Sequence, residues 1–279
     1  MSDERFLIIN ADDYGLCHST NQAIDTLLAE GFITSASLMV TCPWMLEAIA
    51  FIKQIPNADV GIHLTMTSEW DHYKWGPVNK RLSTLVDETG YFPADTRSVM
   101  ANADPEELRE EAIAQIELAL RMGIDLTNID NHMGSMHHVA EIMLDLCEKY
   151  RLPLRYAKHS SFFSHPRHEE LVQLAEKKGV AILDHFDMLP FFPPASEIAA
   201  SYAYTKEAAI RTIKELKPGL TELVIHPSLD TSETKAITDT WQIRRYDYNV
   251  FQDPEITRLL RNEDIRLITL REIRDKQRS

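Results

Sequence analysis

The sequence predicts an α/β fold, a (β/α) barrel of seven to eight units, and three observations support this prediction. Short apolar runs alternate with longer amphipathic segments along most of the chain, which is the pattern of parallel strands joined by helices. The first run, FLII at residues 6–9, is continuously apolar, as in a strand that is buried on both faces. No Gly/Ser/Pro-rich linker interrupts the alternation, which favours one barrel over two domains, although an open doubly wound sheet has the same local pattern.

The elements of this barrel follow from the pattern in chain order. Eight strands are predicted at short apolar runs, in residues 6–10, 36–40, 60–64, 128–131, 154–157, 180–183, 222–225 and 266–269. Seven helices are predicted from amphipathic spacing, in residues 19–30, 43–55, 105–122, 138–150, 168–178, 206–216 and 254–261. Several of these helices have Pro in the first turn or a Ser or Asp cap, which are common signals of a helix start.

One segment, residues 67–103, is much longer than an ordinary connection between a strand and a helix. It contains Trp70, Tyr73 and Trp75 among Gly and Pro, and flat aromatic side chains suit the apolar faces of sugar rings. A small hydrophobic cluster that only holds the loop together is the alternative. We therefore predict a single domain, residues 1–279, in which residues 67–103 are an insertion and these three aromatic residues bind substrate.

The composition argues against several classes of partner. With 279 residues, of which 44% are hydrophobic, the chain can form a substantial core. A net charge of −14 argues against nucleic acid or an anionic membrane surface as partner and favours a neutral substrate. Cys17, Cys42 and Cys147 are widely spaced, so a cytoplasmic location without disulfides or a thiolate zinc site is expected. No signal-peptide pattern and no apolar run of ~20 residues is found, so neither secretion nor membrane insertion is expected.

Two adjacent carboxylates, Asp12 and Asp13, follow the first predicted strand. Two ionised carboxylates side by side repel each other, and a nearby cation or a shared proton makes such a pair tolerable where solvent is scarce. A metal site is one interpretation of this stretch. The other is a solvated loop in which an Asp caps the next helix, near Ser19.

Three later strand ends carry polar groups of the same kind. His63 lies at the end of the third predicted strand, Asp130 and His132 at the end of the fourth, and His226 at the end of the seventh. The carboxyl ends of all strands in a parallel barrel open onto the same face, so these side chains are expected to converge. A lone His at a strand end is more often a hydrogen-bonded filler, but one Asp with two His residues is a suitable ligand set for a divalent ion.

Several short motifs resemble the YdjC-like carbohydrate deacetylase family, which includes the chitooligosaccharide deacetylases. They are ADDYG at residues 11–15, GIHLT at 61–65, DNH at 130–132, P-x-R at 153–155 and HP at 226–227. Residues 85–93, LVDETGYFP, and 183–186, LDHF, also resemble segments of this family. The motifs are specific as an ordered set, and the resemblance runs from residue 6 to about residue 227.

The resemblance implies a barrel related to other polysaccharide deacetylases, often homodimeric, in which a divalent metal ion hydrolyses an N-acetyl group from an acetylated sugar. It implies the following roles: metal ligands Asp13, His63 and His132, catalytic base Asp12, catalytic acid His226, and Arg155 to orient Asp12 through a charge-assisted hydrogen bond. Many members have a second His two residues after the DxH histidine, whereas Met133 to Met136 stand here before His137 and His138. We therefore assign these two histidines no role beyond the rim or a helix start.

Amide hydrolysis independently requires groups of these types. A metal ion activates a water molecule and stabilises the oxyanion, Asp12 can take a proton, and His226, with an ordinary pKa of about 6.5, can donate one. The ligand set favours Zn²⁺ by softness but leaves Mg²⁺ open. A metal-dependent sugar isomerase, a phosphodiesterase on the same barrel and a non-catalytic sugar-binding protein are the alternatives.

Overall fold

The computed structural model describes residues 4–55, 57–159, 162–163, 165–191, 201–261 and 264–279. In these residues, seven parallel strands form a closed barrel, and helices cover its outside. The strands are β1 (Arg5–Tyr14), β2 (Ser35–Leu38), β3 (Val60–Leu64), β4 (Ile129–Asn131), β5 (Leu154–His159), β6 (Ile182–Met188) and β7 (Gly219–Ile225). The barrel closes because β1 pairs with both β2 and β7. The predicted (β/α) barrel is therefore confirmed, and the open-sheet alternative is excluded.

The eighth predicted strand is present, but it lies outside the closed barrel. This strand, β8 (Ile265–Leu267), pairs with residues 5–7 of β1, whereas β2 pairs with β1 from Asn10 onward. Because β7 occupies the other edge of β1, β8 and β2 share one edge. The length of β1 makes room for both short strands.

All seven predicted helices are present with slightly shifted ends, and the described residues contain four further α-helices that were not predicted. The predicted ones are α1 (His18–Ala29), α2 (Met45–Ile52), α4 (Pro105–Arg121), α5 (Ala140–Tyr150), α6 (His168–Lys177), α7 (Tyr202–Lys214) and α10 (Pro254–Leu260). The others are α3 (Thr96–Asn102), α8 (Ser232–Ile237), α9 (Trp241–Gln252) and α11 (Leu270–Arg278). Pro105 and Pro254 stand in the first turn as expected, but α2 begins two residues after Pro43. No helix in the described part of the chain is long and apolar enough to cross a membrane.

The first strand differs from its prediction at its carboxyl end. It does not stop before Asp12 and Asp13 but continues through them to Tyr14. The pairing of β1 with β2 shifts register between Ala11 and Tyr14, and Asp13 has a left-handed backbone with a φ of 67°. Consecutive side chains of a regular strand point to opposite faces. Because this bulge interrupts the alternation, both carboxylates reach the same histidine, His63.

The core is built from strands buried on both sides and from helices with one buried face. Leu7, Ile8 and Ile9 of β1 are all completely buried, as the continuous apolar run predicts. On α4 the buried apolar positions recur at helical spacing, at Leu108, Ala112, Ile116 and Ala119, so one stripe of this helix packs against the barrel.

Helix α4 also holds the long segment at residues 67–103. The fully buried carboxylate of Glu111 accepts the backbone N–H groups of Val78 at 2.8 Å and Asn79 at 3.0 Å. Phe92 is completely buried, and its N–H donates to the carbonyl of Trp75 at 3.1 Å. Buried backbone donors need such partners, so the segment has a defined structure against the barrel.

Candidate active site

The polar side chains predicted at the strand ends lie together at the carboxyl end of the barrel. β1 provides Asp12 and Asp13, β3 provides His63, and His132 and His226 directly follow β4 and β7. The first four are at most 6% exposed, and the His226 side chain is 13% exposed. The parallel topology thus brings residues from four distant parts of the sequence into one buried cluster.

Asp13, His63 and His132 form a triangle of ligand atoms. His132 Nδ1 lies 3.3 Å from Asp13 Oδ1 and 3.3 Å from His63 Nε2, and His63 Nε2 lies 3.6 Å from Asp13 Oδ1. Three ligands placed ~2.1 Å from one ion at tetrahedral angles would be separated by ~3.4 Å. Asp13 Oδ1 is buried and has no hydrogen-bond partner among the described residues. This donor set therefore fits a divalent cation, while the role of these residues as ligands stays a prediction.

A second group, Asp12, His63 and Asp130, is also close enough to share an ion. Its carboxylate oxygens, however, are engaged in other contacts. Asp130 accepts the Nδ1–H of His63 at 2.5 Å and the hydroxyl of Ser37 at 2.5 Å, and both oxygens of Asp12 accept hydrogen bonds from Arg155. The first group keeps a carboxylate oxygen without a partner and fits an ion better. The hydrogen bond to Asp130 also leaves the lone pair of His63 on Nε2, facing Asp13.

Asp12 is held by a two-pronged contact with Arg155. Nη1 and Nη2 of Arg155 donate to Oδ2 and Oδ1 of Asp12, each at 2.8 Å, and Asn10 Nδ2 donates to Oδ1 at 2.7 Å. Burial alone would raise the pKa of Asp12, but the charge of Arg155, together with the nearby imidazoles, outweighs it and lowers this pKa. Asp12 is therefore an oriented anion at neutral pH, and the contact expected between Arg155 and Asp12 is present.

Arg155 also contacts a second carboxylate, which the sequence did not indicate as part of the site. Glu222, completely buried in β7, accepts the Nε–H of Arg155 at 2.9 Å. Burial raises the pKa of Glu222 to about 7, although the cation of Arg155 opposes this shift. An acidic residue inside an otherwise apolar strand was the available signal, because a buried carboxylate needs a partner.

Asp13 has its own cationic partner, Arg244 from the unpredicted helix α9. Arg244 Nη1 donates to Asp13 Oδ2 at 2.7 Å, and the arginine is only 3% exposed. Burial opposes ionisation of Asp13, but the charge of Arg244 and the contact with His132 keep its pKa well below the ordinary value. Each of the two adjacent acids is thus ionised beside a separate buried arginine.

His226 lies near Asp12 but has an altered protonation equilibrium. Its Nε2 is 3.9 Å from Asp12 Oδ2, its backbone N–H donates to Asp247 at 2.8 Å, and its ring packs 4.3 Å from the Phe191 ring centre. Burial lowers the pKa of His226 to about 4. The use of its ordinary pKa was therefore wrong. In this structure the imidazole is neutral at pH 7 and must gain a proton before it can donate one.

A cavity of about 400 Å³ opens above these residues. Six apolar side chains that line it were not found from the sequence, because they come from separate places, namely the loop after β5, β6 and the loop after it, and the turn after β4. They are Phe162, Phe163, Phe186, Phe191, Met133 and Met188. His137 also lines the cavity, where burial lowers its pKa to about 4. This histidine is the first residue of a short 3₁₀ helix, His137–Val139, as the expected helix start requires, and its ring is also part of the cavity lining.

Of the three aromatic residues predicted to bind substrate, Trp70 lines this cavity. Trp75 is 3% exposed, donates its Nε1–H to the carbonyl of Thr67 at 2.8 Å and packs edge-on against Trp70. The hydroxyl of Tyr73 donates to the carbonyl of Leu16 at 2.6 Å. These contacts place Trp75 and Tyr73 in the loop-stabilising hydrophobic cluster that was the alternative, whereas Trp70 stays a predicted substrate contact.

Fold and site together define a (β/α)-barrel protein with a candidate divalent-metal centre at the carboxyl ends of its strands. The chain matches the model of the YdjC-like protein family over residues 6–262. It therefore belongs to this family, and the resemblance noted from its motifs is confirmed.

Two relatives that align with more than 90% of this chain are both named carbohydrate deacetylase. A carbohydrate deacetylase from Thermoanaerobacter pseudethanolicus is 27% identical over 265 residues, which cover 94% of this chain and 97% of the relative. A carbohydrate deacetylase from Thermus thermophilus is 32% identical over 267 residues, covering 93% and 91%. A solved structure from Enterococcus faecalis, named for a proposed role in cellobiose-phosphate cleavage, superposes with a TM-score of 0.81 at 24% identity and covers 97% of this chain and 99% of that one. This structural likeness shows the shared fold.

Proposed function

We propose that this protein is a metal-dependent carbohydrate deacetylase, a hydrolase that removes the N-acetyl group from an acetylated sugar or oligosaccharide. The observation that carries the proposal is the triangle of Asp13, His63 and His132, with edges of 3.3 to 3.6 Å, beside the oriented carboxylate of Asp12. Membership of the YdjC-like family and the name shared by its relatives support the same activity.

Asp13, His63 and His132 would hold the ion. When bound, a divalent ion would polarise the acetyl carbonyl and lower the pKa of a water molecule. Two imidazoles and one carboxylate favour Zn²⁺ by ligand softness, and Mg²⁺ is the second candidate. Arg244 keeps Asp13 ionised and directs its free oxygen toward the two histidines.

Asp12 would act as the base. Its hydrogen bonds from Arg155 and Asn10 fix the carboxylate in place, but the charge of Arg155 outweighs burial and lowers the pKa of Asp12, which weakens it as a proton acceptor. His226 would supply a proton to the departing amine. Because this imidazole is neutral at pH 7, it must first receive the proton that Asp12 takes from the attacking water. Asp12 Oδ2 lies 3.9 Å from His226 Nε2, a gap that a small movement on substrate binding can close.

The cavity suits an uncharged sugar. Both arginines that line it are engaged by site carboxylates, Arg155 by Asp12 and Arg244 by Asp13. Trp70 and the six apolar side chains in the lining offer surfaces on which the C–H faces of a sugar ring can pack. The substrate would therefore be recognised by shape and apolar contact, with its acetamido group directed at the strand ends.

The alternative functions explain fewer of these observations. An isomerase that uses two metal ions usually gathers more carboxylates around them, whereas the two groups of potential ligands in the described residues overlap at His63 and include only Asp12, Asp13 and Asp130. A protein that only binds sugar has no need for the buried Arg155 and Asp12 pair, whose burial is costly. We further propose a cytoplasmic location, which the three buried free cysteines support, and a homodimer, which the family resemblance supports. We also propose that residues 1–279 form a single domain.

The test is acetate release. Protein stripped with a chelator is reloaded with Zn²⁺ or Mg²⁺ and incubated with N-acetylglucosamine and a ladder of chitooligosaccharides. We expect acetate and free amine to form in equal amounts, and only after a metal ion is restored. If the metal-loaded protein releases no acetate from any acetylated mono- or oligosaccharide, the proposal fails.

A further inference from the structure

A carboxylate outside the predicted ligand set contacts the far side of His132. Glu69 Oε1 lies 3.1 Å from His132 Nε2, while Nδ1 of the same ring lies 3.3 Å from Asp13 Oδ1. The Glu69 side chain is 17% exposed, and the His132 side chain is 7% exposed. The imidazole is thus held between two carboxylates, with one nitrogen directed toward each.

The other histidine of the triangle has the same arrangement. His63 donates its Nδ1–H to Asp130 at 2.5 Å and directs Nε2 toward Asp13. A histidine that binds a metal commonly donates its second N–H to a carboxylate, which fixes both the tautomer and the ring orientation. Glu69 stands in this relation to His132.

Glu69 belongs to the long segment at residues 67–103, and neighbouring contacts fix its position. Ser68 donates its N–H to the carbonyl of Pro93 at 2.8 Å, and its hydroxyl oxygen accepts the N–H of Trp75 at 3.1 Å. The indole of Trp75 in turn donates to the carbonyl of Thr67 at 2.8 Å. The two residues before Glu69 are therefore tied to Trp75, and Trp70 after it packs edge-on against the same indole, which gives the carboxylate a rigid support.

We propose that Glu69 is a positioning residue of the metal centre. It keeps the proton of His132 on Nε2 and holds the ring so that Nδ1 faces Asp13 and His63. The long segment thereby supports the metal site, in addition to any contact that Trp70 makes with substrate. This inference rests on the proposed metal-dependent function.

The test measures metal affinity rather than turnover. Zn²⁺ is titrated by calorimetry into chelator-stripped wild-type protein, Glu69→Ala and Glu69→Gln. We expect Glu69→Ala to raise the Kd by roughly 10- to 100-fold, the usual loss when such a partner is removed. Glu69→Gln is expected to lose less affinity, because the amide oxygen still accepts the N–H while the charge is gone.

Glu111→Gln is the matched control, because Glu111 anchors the same segment without contacting His132. Its carboxylate accepts the N–H groups of both Val78 and Asn79, and an amide would direct a donor at one of them. We expect this variant to lower the melting temperature and to leave the Kd for Zn²⁺ unchanged.

If Glu69→Ala folds, either of two results would overturn the inference. One is a Kd for Glu69→Ala within about twofold of wild type. The other is a loss of affinity in Glu111→Gln as large as in Glu69→Ala, because the ion would then depend on folding of the segment and not on this contact. If Glu69→Ala does not fold, Glu69→Gln decides: a weaker Kd supports the inference and an unchanged Kd overturns it. Failure of wild-type protein to release acetate would refute the proposed function but leave the affinity result standing.

Discussion

Replacement of Arg155 by leucine removes the cation that three buried carboxylates share. The guanidinium contacts Asp12 twice at 2.8 Å, Glu222 at 2.8 Å and Asp130 at 3.1 Å, and the residue is only 6% exposed. Removing one partner of a buried ion pair typically costs ~3–5 kcal/mol, because the remaining charges are left without compensation. At ~2–4 °C per kcal/mol for a chain of this size, the melting temperature should fall by roughly 6–20 °C.

The control is Arg155→Lys, which keeps the charge but not the planar pair of donors. Melting is followed at pH 7 in chelator-stripped protein, so that the loss of a metal ion does not contribute. Arg155→Lys should lose less stability than Arg155→Leu, yet its kcat should still fall by ~100-fold, because Asp12 is no longer held in its orientation. A melting temperature for Arg155→Leu within ~2 °C of wild type would contradict the account of this charge cluster.

Three further predictions address the substrate, the acid and the effect of pH. Trp70→Ala should raise KM for an oligosaccharide more than for a single acetylated sugar, with little change in melting temperature. Trp75→Ala should mainly lower the melting temperature. The reverse pattern would contradict the contacts described. His226→Gln should lower kcat by ~10²–10⁴ and leave metal content unchanged, so a variant of normal kcat would remove His226 from the mechanism. Burial raises the pKa of Glu222 to about 7, so the folded protein binds the proton of this carboxyl group more tightly than the unfolded chain does. The free energy of unfolding therefore falls as the pH rises from ~4.5 to ~7. The difference in unfolding free energy between Glu222→Gln and wild type should therefore shift in favour of the variant, by up to ~3 kcal/mol, as the pH rises from 5 to 8. It is measured by urea unfolding of metal-free protein, and a difference that does not change with pH would refute this assignment.

The positions of the central side chains were predictable because they follow from topology. Residues that end parallel strands must meet at one face of a closed barrel, so the short apolar runs before Asp12, His63 and His226 were sufficient to predict that these groups converge. The bulge in β1 was not predictable, because a register shift between two strands leaves no mark in the composition of either strand. It is this bulge that allows Asp12 and Asp13, although adjacent, to reach one site.

The supporting charges could not be predicted for a different reason. Arg244 and Asp247 lie on the buried face of α9 among Ile243, Val250 and Phe251, so two charged residues interrupt the apolar stripe from which an amphipathic helix is recognised. Glu69 lies in a segment without regular periodicity, and its contact with His132 depends on how that segment folds. The low pKa of His226 likewise depends on burial beside Phe191, which comes from a distant part of the chain.

The most direct test of the metal centre is the metal content of two neighbouring variants. Asp12→Asn, Asp13→Asn and wild-type protein are purified, reloaded with Zn²⁺, dialysed and analysed by elemental mass spectrometry. The structure predicts that Asp12→Asn retains as much metal as wild type but loses most turnover, because Arg155 occupies both oxygens of Asp12, whereas Asp13→Asn loses the metal as well. Equal metal loss in both variants would show that the two carboxylates act as one ligand unit, which would contradict the separate roles of base and ligand.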